Sequence, residues 1–106
     1  MPAAPSSSAV PTVQRDDAAV RITRWDFAPG VSTGWHRHEF PYFVVMLTDA
    51  VMQIDNGREH VEVTRRAGDT YSRPAGVEHD VRNAGEAPMA FVEIEIKLEG
   101  ERLVGG

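Results

Sequence analysis

The sequence predicts an all-β domain with no substantial helix, and three observations predict it. No stretch of about ten residues repeats its apolar positions with a helical period. The apolar positions instead alternate or run together over strand-length segments, and those segments are punctuated by Gly, Pro and Asn at turn spacing.

Taken in order, Met1 to Arg15 is rich in Pro, Ala and Ser and reads as a flexible tail, with the folded domain expected over residues 16–98 and a polar, glycine-ended tail over 99–106. Within that second tail, Leu103 and Val104 are candidates for packing on a neighbour. Val20 to Phe27 alternates like a half-buried strand and ends at the turn residues Ala28-Pro29-Gly30. A second extended segment carries Trp35 to His38. Tyr42 to Leu47 is apolar throughout, the mark of a strand covered on both faces, and the simplest cover for an outer face is a second subunit, so a homodimer is expected. Val51 to Ile54, Asp55-Asn56-Gly57 and Arg58 to Val63 read as a hairpin, since Asn-Gly accepts the positive φ of a tight turn. Thr70 to Arg73 and His79 to Asn83 follow, separated by Pro74-Ala75-Gly76. The last strand, Met89 to Leu98, alternates Val92, Ile94 and Ile96 with Phe91, Glu93 and Glu95, so the aliphatic set is expected in the core and both glutamates in water, their rival role being buried acid/base groups.

At 106 residues the chain is expected to be one domain. Its 42% hydrophobic and 25% charged content is that of an ordinary soluble protein, and no apolar run is long enough to span a membrane. A net charge of -5 with 11 scattered basic residues argues against nucleic acid as a partner. The absence of cysteine excludes disulfide and thiol chemistry, and the start of the chain lacks the basic and apolar regions of a secretory signal, so the expected compartment is the cytoplasm.

The chemistry lies in the histidines. His36 and His38 are separated by one residue on an extended segment, so both point to one face, roughly 6.5 Å apart along the strand. His79, delivered from another strand, can complete a three-nitrogen set around a metal. The fourth, His60, lies on the face opposite Val61 and Val63, with Arg58 and Glu62, and reads as a solvated strand residue.

The run from Gly68 to Asn83 reads G-x5-P-x-G-x2-H-x3-N, and Gly30-x5-His36-x-His38 precedes it. Five fixed residue types at fixed spacing arise by chance with odds on the order of one in ten thousand. Together the two runs resemble the sequence motifs of the cupin superfamily, which implies a small antiparallel β-barrel of jelly-roll type holding one divalent metal. The family pattern continues with a glutamate four or five residues after the second histidine and a glycine seven residues beyond that; Tyr42 or Phe43, and Asp49 or Ala50, stand there instead. If His36 and His38 face inward and no bulge intervenes, Phe40, Tyr42, Val44 and Met46 face inward too; a bulge at Pro41 would bring Phe43 in instead. Tyr42 is thus a candidate catalytic residue, a phenol beside the metal, or else a barrel-lining side chain with its hydroxyl satisfied elsewhere. By the same count Glu39 faces outward.

Residues from about Val20 to Lys97, among them Thr33-Gly34-Trp35-His36-Arg37-His38-Glu39 and Arg73-Pro74-Ala75-Gly76-Val77-Glu78-His79, also resemble a narrower group, the small cupins named for β-alanine degradation. That resemblance implies a single-domain metal-binding cupin in a catabolic setting. Two functions stay open. One is an enzyme acting on a small carboxylate or enolisable carbonyl compound: with Fe(II) the three-histidine set is similar to that of the cupin dioxygenases, and with Zn, Ni or Mn it suits isomerisation or hydrolysis, Co and Cu also being admissible. The other is a module that binds or senses a small anion without chemistry.

Overall fold

The computed structural model describes residues 8–98. Its strands are β1 (Val10–Asp16), β2 (Val20–Phe27), β3 (His36–Arg37), β4 (Tyr42–Met46), β5 (Ala50–Asp55), β6 (His60–Arg65), β7 (Thr70–Arg73), β8 (Glu78–Asn83) and β9 (Met89–Ile96). They form two sheets, β1-β2-β9-β4-β7 and β3-β8-β5-β6, every named strand pair being antiparallel. No helix occurs among the described residues, as the missing helical period requires. The result is a two-sheet, jelly-roll-like fold.

The core lies between the sheets. Phe27, Met46, Met52 and Met89 are almost fully buried, and Phe27 meets Phe91 with ring centroids 5.4 Å apart. Each such side chain contributes about 1.5 to 3 kcal/mol by leaving water. Asn83, which closes the second motif, is 1% exposed; its amide donates to the carbonyls of Phe27 and Ala87 and its oxygen accepts from the Gly85 amide. It thereby ties the end of β8 to the end of β2, next to the sheet that carries the site.

Three expectations need correction. Val10 to Asp16 is not tail but strand, paired with β2 from Val10↔Asp26 to Asp16↔Arg21. All seven of its residues are exposed, so the pairing rests on backbone hydrogen bonds, which leave no apolar alternation to read. Residues 99–106, with Leu103 and Val104, lie outside the described residues. The hairpin forms, but its loop is Asn56 to Glu59 rather than Asp55 to Gly57, because pairing runs to Asp55↔His60 and the Asn56 side chain accepts from the Arg58 and Glu59 amides.

In β4, Tyr42, Val44 and Met46 are buried, while Phe43 is 50% exposed, so the apolar outer face of that strand is open in the single chain, as a face expected to need a partner would be. The third correction is to β9, where Phe91, Glu93 and Glu95 face inward and Val92, Ile94 and Ile96 face out. The reason is its place between β2 and β4: Glu95 stands opposite Tyr42 and Arg21, Glu93 opposite Val44 and Thr23, while Ile94 stands opposite Phe43 and Ile22. An alternating strand offers either set to the core. Here the outer set joins other aliphatic side chains, and the carboxylates line the interior.

Candidate metal centre

Two positive-φ glycines shape the loops that deliver the histidines. Gly34 (φ 82) turns the chain into β3, and Gly76 (φ 93) turns it into β8. The loops then clamp each other: the His38 amide donates to the Val77 carbonyl at 2.9 Å, and the Gly76 amide donates to the His38 carbonyl at 2.8 Å. This register sets His36 directly opposite His79 across the β3–β8 ladder.

The three imidazoles converge. His36 Nε2 lies 3.0 Å from His38 Nε2, which lies 3.1 Å from His79 Nε2. A single Nε2 cannot be satisfied by two like neighbours at once, because it carries either one proton or one lone pair. Nitrogen ligands held at about 2.1 Å from one ion, and at right angles to each other, are about 3.0 Å apart. The donor set therefore fits a divalent metal, and His36, His38 and His79 form a group able to hold one.

Protonation favours the same use. Burial, with the nearby His36, holds His38 down to about 4, and burial with the other two imidazoles holds His79 down to about 3. Both are neutral at pH 7. The Nδ1 of His36 donates to the Gly34 carbonyl at 2.9 Å, which fixes the tautomer that leaves the Nε2 lone pair free.

Tyr42 faces inward, as the unbulged count requires, although the chain bends at Glu39 and Phe40 between β3 and β4. Its ring stacks on His38 with centroids 4.0 Å apart and an interplanar angle of 25°. Burial and the neighbouring Glu93 raise its phenol above the usual range. Glu39 is exposed, and His60 is exposed on β6, 3.8 Å from Asp55.

Two site residues were not assigned to the site by the sequence: Glu93, expected in water with a buried acid/base role only as the rival, and Trp25. Glu93 is 8% exposed and shares a cavity of ≈ 380 Å³ with His36 and His38, and a smaller one of ≈ 20 Å³ with His36 and His79. Burial, reinforced by Glu95, pushes its carboxyl up to about 7. Trp25 lines both cavities, and its buried indole N–H is turned toward the Glu93 carboxyl without making a full hydrogen bond. The available signal was charge complementarity: Arg21 on β2 takes both oxygens of Glu95, at 2.9 and 2.8 Å, which an outward Glu95 could equally have done. On the other side of the triad a cavity of ≈ 180 Å³ joins His79 and Tyr42 to Arg65, Tyr71 and Arg73. Arg65 lies over the Tyr71 ring, 4.4 Å from its centroid.

Residues 23–95 match the cupin domain family. The beta-alanine degradation protein BauB of Pseudomonas aeruginosa is 50% identical over 91 residues, covering 84% of this chain and 94% of its own. A cupin domain crystal structure from Bordetella pertussis is 44% identical, with a TM-score of 0.83 over 86% of this chain and 95% of that one. A double-stranded β-helix protein from Klebsiella pneumoniae, 20% identical, superposes with a TM-score of 0.70 over 92% of this chain and 82% of that one. That last likeness concerns the fold alone.

Proposed function

We propose that this chain, which belongs to the cupin domain family, is a metal-dependent enzyme of dioxygenase or isomerase type acting on a small carboxylate or enolisable carbonyl compound. The carrying observation is the convergence of three imidazoles at 3.0 and 3.1 Å beside open cavities. A divalent transition ion held by His36, His38 and His79 supplies Lewis acidity and, as Fe(II), access to dioxygen chemistry. The chain's own residues do the rest. Gly34 orients His36, Tyr42 fixes the plane of His38, and Arg65 and Arg73 make the far cavity favourable for a carboxylate. The name of the Pseudomonas relative supports a catabolic role on the scale of β-alanine, and the proposed setting is the cytoplasm.

The test is elemental analysis of protein purified without a histidine tag, followed by dioxygen consumption with short carboxylates before and after Fe(II) is restored to a chelated sample. Binding of those carboxylates with no turnover under any metal would make the protein a binding module instead. Within this reading, Tyr42→Phe is expected to retain the metal yet weaken carboxylate binding by about 1 to 3 kcal/mol, the cost of an unpaired polar partner. Titration calorimetry on the metal-loaded variant checks it, and parental affinity would reduce Tyr42 to wall packing.

We also propose a homodimer, formed through the outer face of the larger sheet. Ile22, Phe43, Val45, Val92 and Ile94 are brought onto that face by the β2–β9 and β4–β9 registers. A contiguous apolar face of this kind is closed most simply by a two-fold partner. Light scattering at micromolar concentration should give about twice the 11.7 kDa chain mass, and Phe43→Glu should return it to one. A wild-type particle of one chain mass would sink the proposal.

A further inference from the structure

We infer that Glu93 is the counter-charge of the metal centre, the carboxylate that balances, from the opposite sheet, a positive charge the three imidazoles cannot offset. This rests on the metal-binding reading above. Neutral imidazoles donate lone pairs but no negative charge, and an uncompensated dication in a half-enclosed site is costly. Two carboxylates face the interior from β9. Glu95 has both oxygens engaged by Arg21, so its charge is already matched. Glu93 makes no ion pair among the described residues.

Position separates it from the other acids as well. Glu93 shares a cavity with each of His36, His38 and His79, whereas Glu95 and Glu39 share one only with His36 and His38. It sits at the middle of the larger sheet, opposite Val44 and Thr23, while His36 and His79 come from the smaller sheet. A buried carboxyl without a cation is a liability in the metal-free protein. Beside it, the buried indole N–H of Trp25 is turned toward the Glu93 carboxyl without making a full hydrogen bond, so the two groups form one polar wall of the cavity.

The experiment is a Zn(II) titration of the full chain against a competing chelator, for wild type and Glu93→Gln, together with thermal melts of both metal-free proteins. The variant should bind Zn(II) about 10- to 100-fold more weakly, the range found when a group supporting a metal site is removed. Its metal-free melting temperature should be equal to or above that of wild type, because the amide removes a buried, unpaired acid. Unchanged Zn(II) affinity overturns the inference. So does a parallel fall in affinity and metal-free stability, which would make Glu93 a packing group. A wild-type chain that takes up no Zn(II) or Fe(II) defeats the metal reading itself, a separate outcome.

Discussion

Replacing His79 by alanine is expected to empty the centre, weakening metal binding by at least about 100-fold. Loss of a group that merely supports a ligand already costs 10- to 100-fold, and here a ligand itself is removed from a set of three. The two remaining imidazoles come from neighbouring positions of one segment, His36 and His38, so they approach the ion from one side. The buried His79 ring is set directly across from His36 by the β3–β8 register, and no other histidine is in reach to replace it. His60→Ala is the matched control: His60 is exposed on β6 and should leave metal content unchanged. Metal content by elemental analysis after dialysis checks both. Full occupancy in the His79 variant would remove the assignment, and metal loss in the His60 variant would mean that the ion sits elsewhere.

Acid is expected to unfold the metal-free protein and to strip the metal from the loaded one. In the folded chain His38 and His79 protonate only at about 4 and about 3, whereas in the unfolded chain they do so near the ordinary 6.5. Between those values the unfolded state binds more protons, so stability falls as pH falls, by about 1.4 kcal/mol for each unit of depression. Glu93 acts in the opposite sense. Its folded carboxyl is raised to about 7 from 4.5, so it keeps a proton that the unfolded chain has released, and its contribution is lost as pH rises through that window. Two histidines against one carboxyl place the metal-free optimum between about pH 6 and 7, with a steep decline toward pH 4. Urea midpoints across that range check the sign. A midpoint that holds steady or rises on acidification would show that the imidazoles are not buried as neutral groups. In the loaded protein, protons compete for the same Nε2 lone pairs, so release of the ion should follow the same acid window.

The all-β class, most strand positions and the three histidines that converge were legible in the sequence, because they depend on short-range rules. Alternation assigns a strand its two faces, glycine and proline mark where it turns, and an H-x-H pair shares a side by geometry alone. Tyr42 was legible for the same reason, since it stands four residues after His38 and its parity held across the bend at Glu39 and Phe40. β1 was not, because a strand paired only through its backbone, with every side chain in water, writes no pattern.

What the sequence by itself determined, then, is which residues can act together on one strand face; what the tertiary structure decided is which face turns inward. For β9 the aliphatic set Val92, Ile94 and Ile96 and the acidic set Glu93 and Glu95 alternate with equal regularity, and period two cannot choose between them. The choice was made by the partners across the ladders: Arg21 and Tyr42 opposite Glu95, Thr23 and Val44 opposite Glu93, and Ile22 and Phe43 behind them on the outer face. Interior position follows from the sum of many non-local contacts, and it is those contacts that turned a pair of solvated glutamates into the acidic wall of a three-histidine centre.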